Sequence, residues 1–454
     1  MEQIEKALTD RSSALRILIL STHRPKYSAG LGADIMRSLK EAGHKVDFLC
    51  LLAGGMPKQD YKSIERRSLI KPVLNRLLPR RVKSRIGILQ SGQTFRELME
   101  RKGMIFHDEY EIHYPDENTP GLPTDRLLKH IRKDYDLVIT LWWFDFINST
   151  SLKALYDRLR CPIMILSIDM APVTGGCFYF NSCRRFAEGC GRCPAIGSDS
   201  PDDFTHRNYL IKRDNYANMN CAFLGNSWMN GFAVQSGLFP PGKVFKIGCI
   251  IDEHEFVPGD RRALREKMGL PPDAIILLAR SSSEPRKGAR FIIHALNDMP
   301  AVVSAGKRIV LVSIGDSHLK EQVSNPDIRH EYMGRVNRKD LIALYQVSDY
   351  FLSPSVDDAG PSMVNQAQMC GTPVVCFNNG TAVDVVTDGV SGFKTDNVSE
   401  AGFADALYTA MNLALNDSDA YEKMRLSTRD TALDTCSKAR FQKDIVSHYK
   451  TMTS

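Results

Sequence analysis

The sequence predicts an α/β protein built from two doubly wound domains, each with a mostly parallel sheet between helices. Short apolar runs typical of buried strands alternate with segments of helical periodicity, and this alternation occurs twice along the 454 residues. Polar loops that contain glycine follow several of the apolar runs, as they do at the carboxyl ends of parallel strands. A chain of this length can hold two or three domains with separate cores.

The composition is that of an ordinary folded protein, with 43% hydrophobic and 25% charged residues. A net charge of +6 is too small an excess of base to indicate nucleic acid as a partner. The first residues are polar, and the longest apolar run, residues 137–147, is broken by Asp145 and is too short to span a membrane. We therefore expect a cytoplasmic protein whose 11 cysteines are mostly reduced.

A strand, a helix and a second strand open the chain. The first strand, at residues 16–21, leads into a loop that contains Gly30 and Gly32, and the second strand is predicted at residues 44–52. Glycines at such a turn let a ligand approach the backbone, although the same turn is also a common plain connection.

Residues 62–85 form the most unevenly charged segment, with nine Lys or Arg and a single acid, Glu65. Apolar residues are interleaved with these cations, a pattern that suits binding to an anionic membrane surface. The alternative is a solvated connector whose leucines pack on the N-terminal domain. A nucleic-acid interface is not expected, because only Tyr61 offers an aromatic ring for base stacking.

Two further buried strands are predicted at residues 136–140 and 162–167. Trp142 and Trp143 follow the first of them. Adjacent aromatic rings at that place can line a sugar or lipid cleft, but one member of such a pair often belongs to the core instead.

Four cysteines fall within 17 residues, and the last two form a Cys-x-x-Cys pair. They are Cys177, Cys183, Cys190 and Cys193. In a cytoplasmic protein this clustering favours a structural tetrahedral zinc over disulfides. Reduced thiols or a labile redox pair are the alternatives, because the first spacing is wider than in common zinc knuckles.

A second set of alternating strands and helices begins near Pro258. It predicts strands at residues 275–279, 308–314, 350–353 and 374–377. The predicted domains are an N-terminal domain at 1–257 with a basic insert at 62–104 and the cysteine cluster at 177–193, a C-terminal domain at 258–434, and a final helix at 435–454.

The stretch FLSPSVDDAGPSMVNQAQMCGTPVVCF, at residues 351–377, predicts a strand, a polar loop, a helix and a second strand. The loop carries Asp357 and Asp358, and Gly360 and Pro361 lead into the helix. A loop at the carboxyl end of a strand, followed by a helix N-terminus, is where α/β sheets bind nucleotides and other anions. This pattern indicates a ligand site, although an ordinary connection with solvated acids has the same appearance.

This stretch resembles the nucleotide-sugar site of retaining GT-B glycosyltransferases, in particular glycosyltransferase family 4. In that family a loop Glu is followed eight residues later by a second Glu, and here Asp358 and Gln366 stand at the two positions. The resemblance implies that Asp358 contacts the transferred sugar and that Gln366 contacts the ribose hydroxyls. A one-residue shift of the alignment would share these roles with Asp357 and Asn365. Gly360 and Pro361 belong to the same donor-binding turn.

The same resemblance implies roles for two basic residues, Arg280 at the end of a strand and Lys287 in a Lys-Gly pair. Both would grip the donor diphosphate, where fixed cations stabilise the charge that develops as the sugar–phosphate bond breaks. Gly315 and Asp316 resemble the family's turn near the nucleotide base.

The first glycine-containing loop resembles the corresponding loop of these glycosyltransferases. The resemblance implies that Gly30 and Gly32 lie against the donor phosphates and the acceptor cleft. Two facing Rossmann-like domains and a C-terminal crossover helix are the fold that it implies for the whole chain.

Residues 169–194 resemble a subset of the same family that builds bacterial exopolysaccharides such as colanic acid. The shared features are Asp-Met, Thr-Gly-Gly-Cys, an aromatic pair and Cys-x-x-Cys-Pro. Those proteins usually carry a His immediately before the Asp, where this chain has Ile168, and often a second His where Trp142 stands. Asp169 is therefore the polar group that the resemblance leaves for catalysis in this loop.

The function implied is retaining transfer of a sugar from a UDP- or GDP-sugar to a lipid-linked or polysaccharide acceptor, at the inner face of the plasma membrane. Catalysis would use front-side attack, with the leaving phosphate accepting the acceptor's proton and no cofactor beyond a structural zinc. One alternative is a degenerate GT-B protein that binds a nucleotide sugar or a partner glycosyltransferase without catalysis. Another is a soluble glycosyltransferase that acts on a small molecule.

Overall fold

The computed structural model describes residues 14–22, 30–52, 62–65, 110–112, 116–132, 134–143, 146–300 and 306–454. Two compact units form. The first consists of Met1–Gly225, Asn230–Phe245 and Gln442–Ser454, and the second of Asn226–Met229 and Lys246–Phe441. The predicted domain limits at residues 257 and 434 remain predictions.

The first unit is built on a sheet that, over the described residues, has seven strands in the order β3-β2-β1-β5-β6-β8-β9. The pairs from β3 to β8 are parallel, and a short antiparallel pair, β4 with β7, lies apart from this sheet. The strands are β1 (Arg16–Ser21), β2 (Lys45–Leu52), β3 (Lys62–Glu65), β4 (Glu111–Ile112), β5 (Leu137–Thr140), β6 (Ile163–Leu166), β7 (Cys177–Tyr179), β8 (Cys221–Gly225) and β9 (Val244–Lys246).

Helices accompany these strands, and side-chain caps begin three of them. Asn148, Asp203 and Asn226 each accept a hydrogen bond from a backbone N–H of the first turn that follows, which satisfies a donor that the helix itself leaves open. The helices are α1 (Leu31–Glu41), α2 (Thr124–Lys129), α3 (Ser149–Leu159), α4 (Phe204–Ala217) and α5 (Ser227–Gln235).

The second unit contains a parallel sheet in the order β12-β11-β10-β13-β14-β15, six strands in its described part. The strands are β10 (Ile275–Ser281), β11 (Ile309–Gly315), β12 (Ile328–Gly334), β13 (Tyr350–Ser353), β14 (Val374–Phe377) and β15 (Gly392–Thr395). The helices are α6 (Arg261–Lys267), α7 (Ala289–Asn297), α8 (His318–Gln322), α9 (Arg338–Val347), α10 (Ser362–Met369), α11 (Ala382–Val385), α12 (Glu400–Asn416), α13 (Ser418–Cys436) and α14 (Lys438–Thr453).

The near-continuous apolar sequence of β10 has a structural reason. Ile276 and Leu278 pack into one core of the second unit, whereas Ile275 and Leu277 pack into another. Successive side chains of a strand point to opposite faces, so a sheet with helices on both sides buries all of them. The doubly wound arrangement predicted from the apolar runs is thus present in both units.

The chain returns to the first unit within α14, since the contacts of Gln442–Ser454 belong there. The Gln442 side-chain amide donates to the Ser38 carbonyl at 2.8 Å, and Asn220 donates to the Met452 carbonyl at 2.8 Å. Ile445 of the same helix is fully buried. Residues 442–454 are thus joined to the first unit by hydrogen bonds and by burial, and the predicted role of the whole helix at 435–454 stays a prediction.

Most of the predicted basic segment, residues 66–85, lies outside the described residues, as do residues 23–29 of the first glycine-containing loop. Within the described ranges, every helix is too short or too polar to cross a lipid bilayer.

Candidate active site

The strand order of the second sheet places a crevice between β10 and β13. From β10 the chain continues to β11 on one side, and β13 and β14 extend the sheet on the other side. In open α/β sheets, ligands bind at the carboxyl ends of strands where the strand order reverses in this way. Arg280 lies near the carboxyl end of β10, and the loops that leave β10 and β13 carry Lys287 and Asp358.

These two loops pack directly on each other. The backbone N–H of Val356 donates to the Arg286 carbonyl at 2.9 Å. Gly288 has a φ of +73°, and a Cβ atom built on it would lie 1.9 Å from the carbonyl oxygen of Pro354. Only glycine fits both the left-handed conformation and this close approach, so the Gly of the Lys-Gly pair fixes the spacing between the loops.

An ion pair joins Lys287 to Asp358 across this contact. The Asp358 side chain is 7% exposed and that of Lys287 is 13% exposed, so water screens the pair little. The Arg286 guanidinium lies 3.7 Å from the same carboxylate and 3.0 Å from Glu284. The sequence motif identifies Lys287 and Asp358, but it gave no indication of Arg286 as a second cation at the site.

Arg280 differs from the other residues of β10 because its side chain is exposed near the carboxyl end of the strand. It forms no ion pair with any described residue, which leaves its guanidinium able to bind an anion. Burial raises the pKa of the Tyr345 hydroxyl, and the charge of Arg280 opposes that shift, so the two groups are within electrostatic range.

Asp316 holds the loop after β10 in place. Its carboxylate accepts hydrogen bonds from the Ser281 hydroxyl at 2.9 Å and from the backbone N–H groups of Ser283 at 2.7 Å and His318 at 3.1 Å. Burial opposes ionisation of Asp316, but these hydrogen bonds outweigh it and lower its pKa. Gly315 lies with a φ of +114° against the Ser281 carbonyl. The predicted donor-binding turn is therefore engaged in positioning the loop that leads to Lys287.

The helix α10 begins at this crevice without a side-chain cap, since Pro361 stands at its N-cap position. The first backbone N–H groups of such a helix are open to bind an anion. Gly360 precedes the proline, and the side-chain amide of Asn226 donates to the carbonyl of Ala359 at 2.5 Å. The sequence carried no signal for Asn226, because its role depends on a contact 133 residues away along the chain.

Asn365 and Gln366 differ in their surroundings. Asn365 is fully buried, its carbonyl oxygen accepts from the Thr381 hydroxyl at 3.1 Å, and its amide nitrogen has no hydrogen-bond partner. Gln366 is 8% exposed, and its carbonyl oxygen accepts from the Tyr345 hydroxyl at 3.1 Å. Gln366 is thus oriented by Tyr345, which leaves its amide N–H groups as the donors for a ligand. Asp357, in the loop before α10, is also buried.

In the first unit, the strand order reverses between β1 and β5. Gly30 caps α1 with a φ of +100°, and Gly32 is buried inside that helix. Trp142 follows β5 and its carbonyl accepts from the Thr22 backbone at 2.9 Å, whereas Trp143 is buried and donates to the Thr140 hydroxyl at 3.0 Å. Of the tryptophan pair, Trp143 is thus the core member.

Asp169 and Ile168 follow β6 in the same unit. The carboxylate of Asp169 accepts from the backbone N–H of Ala171 at 2.9 Å, and the side chain is only partly buried. It therefore stabilises the start of the turn at Ala171–Val173. The structure places Asp169 in the first unit, and Lys287 and Asp358 in the second.

One face of α4 holds the loop that follows Asp169. Asn208, Lys212 and Tyr216, spaced four residues apart, donate to loop carbonyls. The acceptors are Gly175 at 3.0 Å, Ala171 at 2.6 Å, Thr174 at 2.8 Å and Pro172 at 3.1 Å. Lys212 is fully buried and lies 3.4 Å from the carboxylate of Glu117, which is also fully buried. This set of contacts makes the loop a rigid part of the first unit.

The four clustered cysteines surround one cavity. Burial raises the pKa of Cys190 to about 12 and that of Cys193 to about 11, and it raises the pKa of Cys177 strongly as well. None of the 11 cysteines is bonded to another. As the described side chains stand, no three of the His, Cys, Asp and Glu residues are arranged to hold a metal ion. The predicted zinc is therefore not supported by ligand geometry alone.

The second unit can also be compared with known families. Residues 260–431 match the family of glycosyl transferases group 1. The match spans all strands from β10 to β15, and with them Arg280, Lys287 and Asp358. The group 1 match does not extend to the first unit.

Curated relatives match a little more than a third of the chain. D-inositol 3-phosphate glycosyltransferase 2 of Catenulispora acidiphila is 29% identical over 179 residues, which are 37% of this chain and 42% of that protein. The D-inositol 3-phosphate glycosyltransferase of Mycolicibacterium gilvum is 30% identical over 157 residues, or 34% of this chain and 35% of that protein. The matched region thus spans less than half the length of these relatives.

Solved structures match nearly the whole chain. Anabaena HepE in complex with UDP has a TM-score of 0.60 at 16% identity, covering 96% of this chain and 99% of that one. Sucrose-phosphate synthase from Thermosynechococcus elongatus has a TM-score of 0.59 at 14% identity, with coverage of 97% and 99%. WaaG, a glycosyltransferase involved in lipopolysaccharide biosynthesis, has a TM-score of 0.58 at 14% identity, with coverage of 97% and 100%. These likenesses and the two doubly wound units confirm the predicted GT-B fold class.

Proposed function

We propose that this chain is a retaining glycosyltransferase that uses a nucleotide-diphosphate sugar as donor. The observation that carries the proposal is the Lys287–Asp358 ion pair, which lies at the carboxyl ends of β10 and β13 in the unit that matches the group 1 family. A cation for phosphate and an anion for sugar hydroxyls are the two charges that a nucleotide-sugar site needs side by side.

The diphosphate would bind between Arg280, Lys287 and the uncapped start of α10. Arg280 is exposed and without an ion pair in the described chain, and Lys287 has only to exchange one anion, Asp358, for another. Breaking the bond between sugar and phosphate builds negative charge on the diphosphate. Fixed cations and helix N–H groups stabilise that charge without a bound metal ion.

In the proposed reaction, the bond from the sugar C1 to the diphosphate oxygen breaks and a bond from C1 to the acceptor oxygen forms on the same face. The proton of the acceptor hydroxyl passes to the leaving diphosphate. Asp358, released from Lys287 when the phosphate binds, would accept hydrogen bonds from the sugar hydroxyls. Gln366, held by Tyr345, would donate to the ribose.

For the donor we propose a UDP-sugar ahead of a GDP-sugar. The support is that HepE, which shares the fold, has been crystallised with UDP and with UDP-glucose. For the acceptor we propose a lipid-linked glycan of bacterial cell-surface polysaccharide synthesis, handled at an anionic membrane surface. The support is the basic, apolar pattern of residues 62–85 and the exopolysaccharide-like motif at residues 169–194.

Two alternative functions can be distinguished from this one by experiment. The names of the curated relatives favour a small phosphorylated acceptor, for which no membrane is needed. The substitution of Gln at 366, Ile at 168 and Trp at 142 favours a protein that binds a nucleotide sugar without transferring it.

Calorimetric titration with UDP, GDP and their sugar conjugates tests the donor site. We expect one nucleotide to bind, and the double variant Arg280→Ala, Lys287→Ala to bind it about 10²-fold more weakly, because two charge-assisted contacts are lost. The matched control is Arg262→Ala with Lys267→Ala, which removes two cations from α6 and should leave binding unchanged. Failure of the folded wild type to bind any nucleotide would contradict the proposal.

Hydrolysis or transfer of the bound sugar separates the enzyme from the non-catalytic binder. We expect release of free nucleoside diphosphate from the preferred donor, accelerated by anionic liposomes that carry a lipid-linked acceptor. Binding without turnover across a broad acceptor panel would favour the non-catalytic function, and turnover with soluble inositol phosphates alone would favour the small-molecule acceptor.

A further inference from the structure

The second feature of chemical interest lies in the first unit, where Cys177, Cys183, Cys190 and Cys193 line a single cavity of about 20 Å³. A space of this size holds one water-sized occupant. A disulfide would use only two sulfur atoms, whereas four line this one cavity. None of the four is bonded to another.

The backbone around the cysteines is held by hydrogen bonds. The N–H of Gly175 donates to the Cys190 sulfur at 3.2 Å. The N–H of Cys193 donates to the Asp203 carboxylate at 2.9 Å, and the N–H of Ile196 donates to the Cys193 carbonyl at 3.3 Å. These contacts fix the loop that carries Cys190 and Cys193 on one side of the cavity.

The loop that carries the cysteines has an unusual backbone. Asn181, Cys190 and Arg192 have φ values of +51°, +60° and +42°, and they are three of the four described residues other than glycine with a left-handed conformation. Gly191 lies between two of them, and a Cβ atom there would lie 2.2 Å from the Pro201 carbonyl. Conformations of this kind persist where additional bonds over-determine the structure, and they concentrate at ligand sites.

From the shared cavity, the hydrogen bond to the Cys190 sulfur and the left-handed backbone of the loop, we propose that Cys177, Cys183, Cys190 and Cys193 bind one structural Zn²⁺. Zinc takes four thiolates in a tetrahedron with Zn–S distances of about 2.3 Å. The sulfur atoms do not yet meet at one point, but each turns on its own Cα–Cβ bond, and an ion in the cavity would draw all four inward.

Binding of Zn²⁺ by four thiols releases four protons and gives the site a net charge of −2. The backbone N–H of Gly175 and the Lys212 ammonium, whose charge reaches Cys177 and Cys190, offset part of this charge. Lys212 also donates to the carbonyl of Thr174, next to the N–H that contacts Cys190. The metal would therefore join the cysteine loop to the segment that α4 already holds.

The metal content of protein purified without chelators tests this proposal. We expect about one zinc per chain by mass spectrometry of the digested protein. The double variant Cys190→Ser, Cys193→Ser should lose the zinc, whereas Cys161→Ser with Cys249→Ser, two cysteines outside the cluster, should retain it. Zinc retained by the first double variant, or absent from folded wild type supplied with zinc, would overturn the proposal.

A second measurement covers the case in which the cluster variant does not fold. Wild-type protein is titrated with a mercurial that reacts with thiols, and released zinc is followed with a metal-sensitive dye. We expect zinc release in step with the reaction of four thiols, and a sulfur-to-cobalt charge-transfer band when Co²⁺ replaces zinc. Thiols that react freely with no metal released, or Cys190 and Cys193 recovered as a disulfide, would identify the cluster as a redox pair instead.

Discussion

The Lys287–Asp358 ion pair holds two opposite charges where, in the proposed reaction, each binds a different part of the donor. The pair is nearly buried, so removal of one member leaves the other without its counter-ion. Arg286 stays near Asp358 in either case. Substitution of Lys287 and substitution of Asp358 should therefore have opposite effects on nucleotide binding.

We expect Asp358→Asn to bind the nucleoside diphosphate as tightly as the wild type or more tightly, because Lys287 no longer has a competing anion. Turnover should fall by about 10²-fold or more, since the sugar loses a charged acceptor. Lys287→Met should instead weaken nucleotide binding. Calorimetry and product release together measure both effects, and an equal loss of binding in the two variants would contradict the assigned roles.

His330 makes a contribution to the free energy of unfolding that depends on pH. Burial lowers its pKa below the ordinary value of 6.5, with Glu331 opposing and Lys320 reinforcing the shift, and its ring shares a hydrogen bond with the Ser313 hydroxyl at 2.7 Å. Because the folded protein binds this proton less readily than the unfolded chain, the contribution to stability is complete above pH 6.5 and is lost as pH falls through the folded pKa.

We therefore expect His330→Gln to reduce the loss of thermal stability between neutral and mildly acidic pH. The matched control is His254→Gln, at an exposed position. Melting curves across this pH range provide the measurement, and identical pH profiles for wild type and His330→Gln would show that the histidine makes no such contribution.

The sequence could indicate some residues of the candidate site but not others. Arg280, Lys287 and Asp358 were assigned to the donor site from their resemblance to short family motifs at strand ends, and their roles there stay predictions. Tyr345 and Asn226 act through contacts with distant parts of the chain, and ordinary helix and strand-end positions carry no mark of such contacts. Asp316 was predicted to lie near the donor, which stays a prediction, but nothing in the sequence indicated that its carboxylate also holds the loop after β10.

At the scale of elements, the turn between β10 and α7 determines how closely two site loops approach. Gly288 and Gly269 have similar φ values, +73° and +68°, but a Cβ atom would meet the Pro354 carbonyl at Gly288 and open space at Gly269. The two glycines thus separate the effect of backbone conformation from the effect of packing.

We expect Gly269→Ala to cost only about 1 kcal/mol, the penalty for a left-handed alanine. Gly288→Ala should cost more, because the loop of Lys287 must move away from the loop of Asp358, and nucleotide binding should weaken with it. Denaturation and calorimetry of the two variants measure this, and equal stabilities with unchanged binding would show that the loops tolerate the displacement.

A second prediction at the scale of elements concerns the buried ion pair between Lys212 of α4 and Glu117. Lys212→Met leaves Glu117 buried without its counter-ion, and we expect a loss of about 3–5 kcal/mol in the free energy of unfolding. Glu117→Gln in the same chain should restore part of it, because the buried charge is then removed. Chemical denaturation of the single and double variants provides the measurement, and a double variant less stable than Lys212→Met would contradict the ion-pair explanation.

The positions of strands were predicted more fully than the pairing between strands. The apolar runs that predicted β10, β11, β13 and β14 are strands at those positions, because a strand buried on both faces needs such a sequence. The antiparallel pair of β4 with β7 was not predicted. It joins residues more than 60 positions apart, and β4 is only two residues long, too short to show any periodicity.

At the scale of the whole molecule, the return of α14 to the first unit makes residues 442–454 part of that unit's core. We expect Ile445→Ala to cost about 2–5 kcal/mol, because a fully buried side chain is truncated. Lys450→Ala, at an exposed position of the same helix, is the control. Hydrogen exchange should increase in β1, β5 and β6 and stay unchanged in β10 to β15, and faster exchange in both units would contradict the separation into two.

The composition of the two units also bears on how the chain folds during synthesis. The second unit needs nothing beyond residue 441, whereas the first needs residues 442–454. Domains usually fold in the order in which the ribosome produces them. Here the first unit can begin early but can be completed only after the second has been translated in full, so its unfinished surface must remain soluble while almost 200 further residues, Lys246–Phe441, are made.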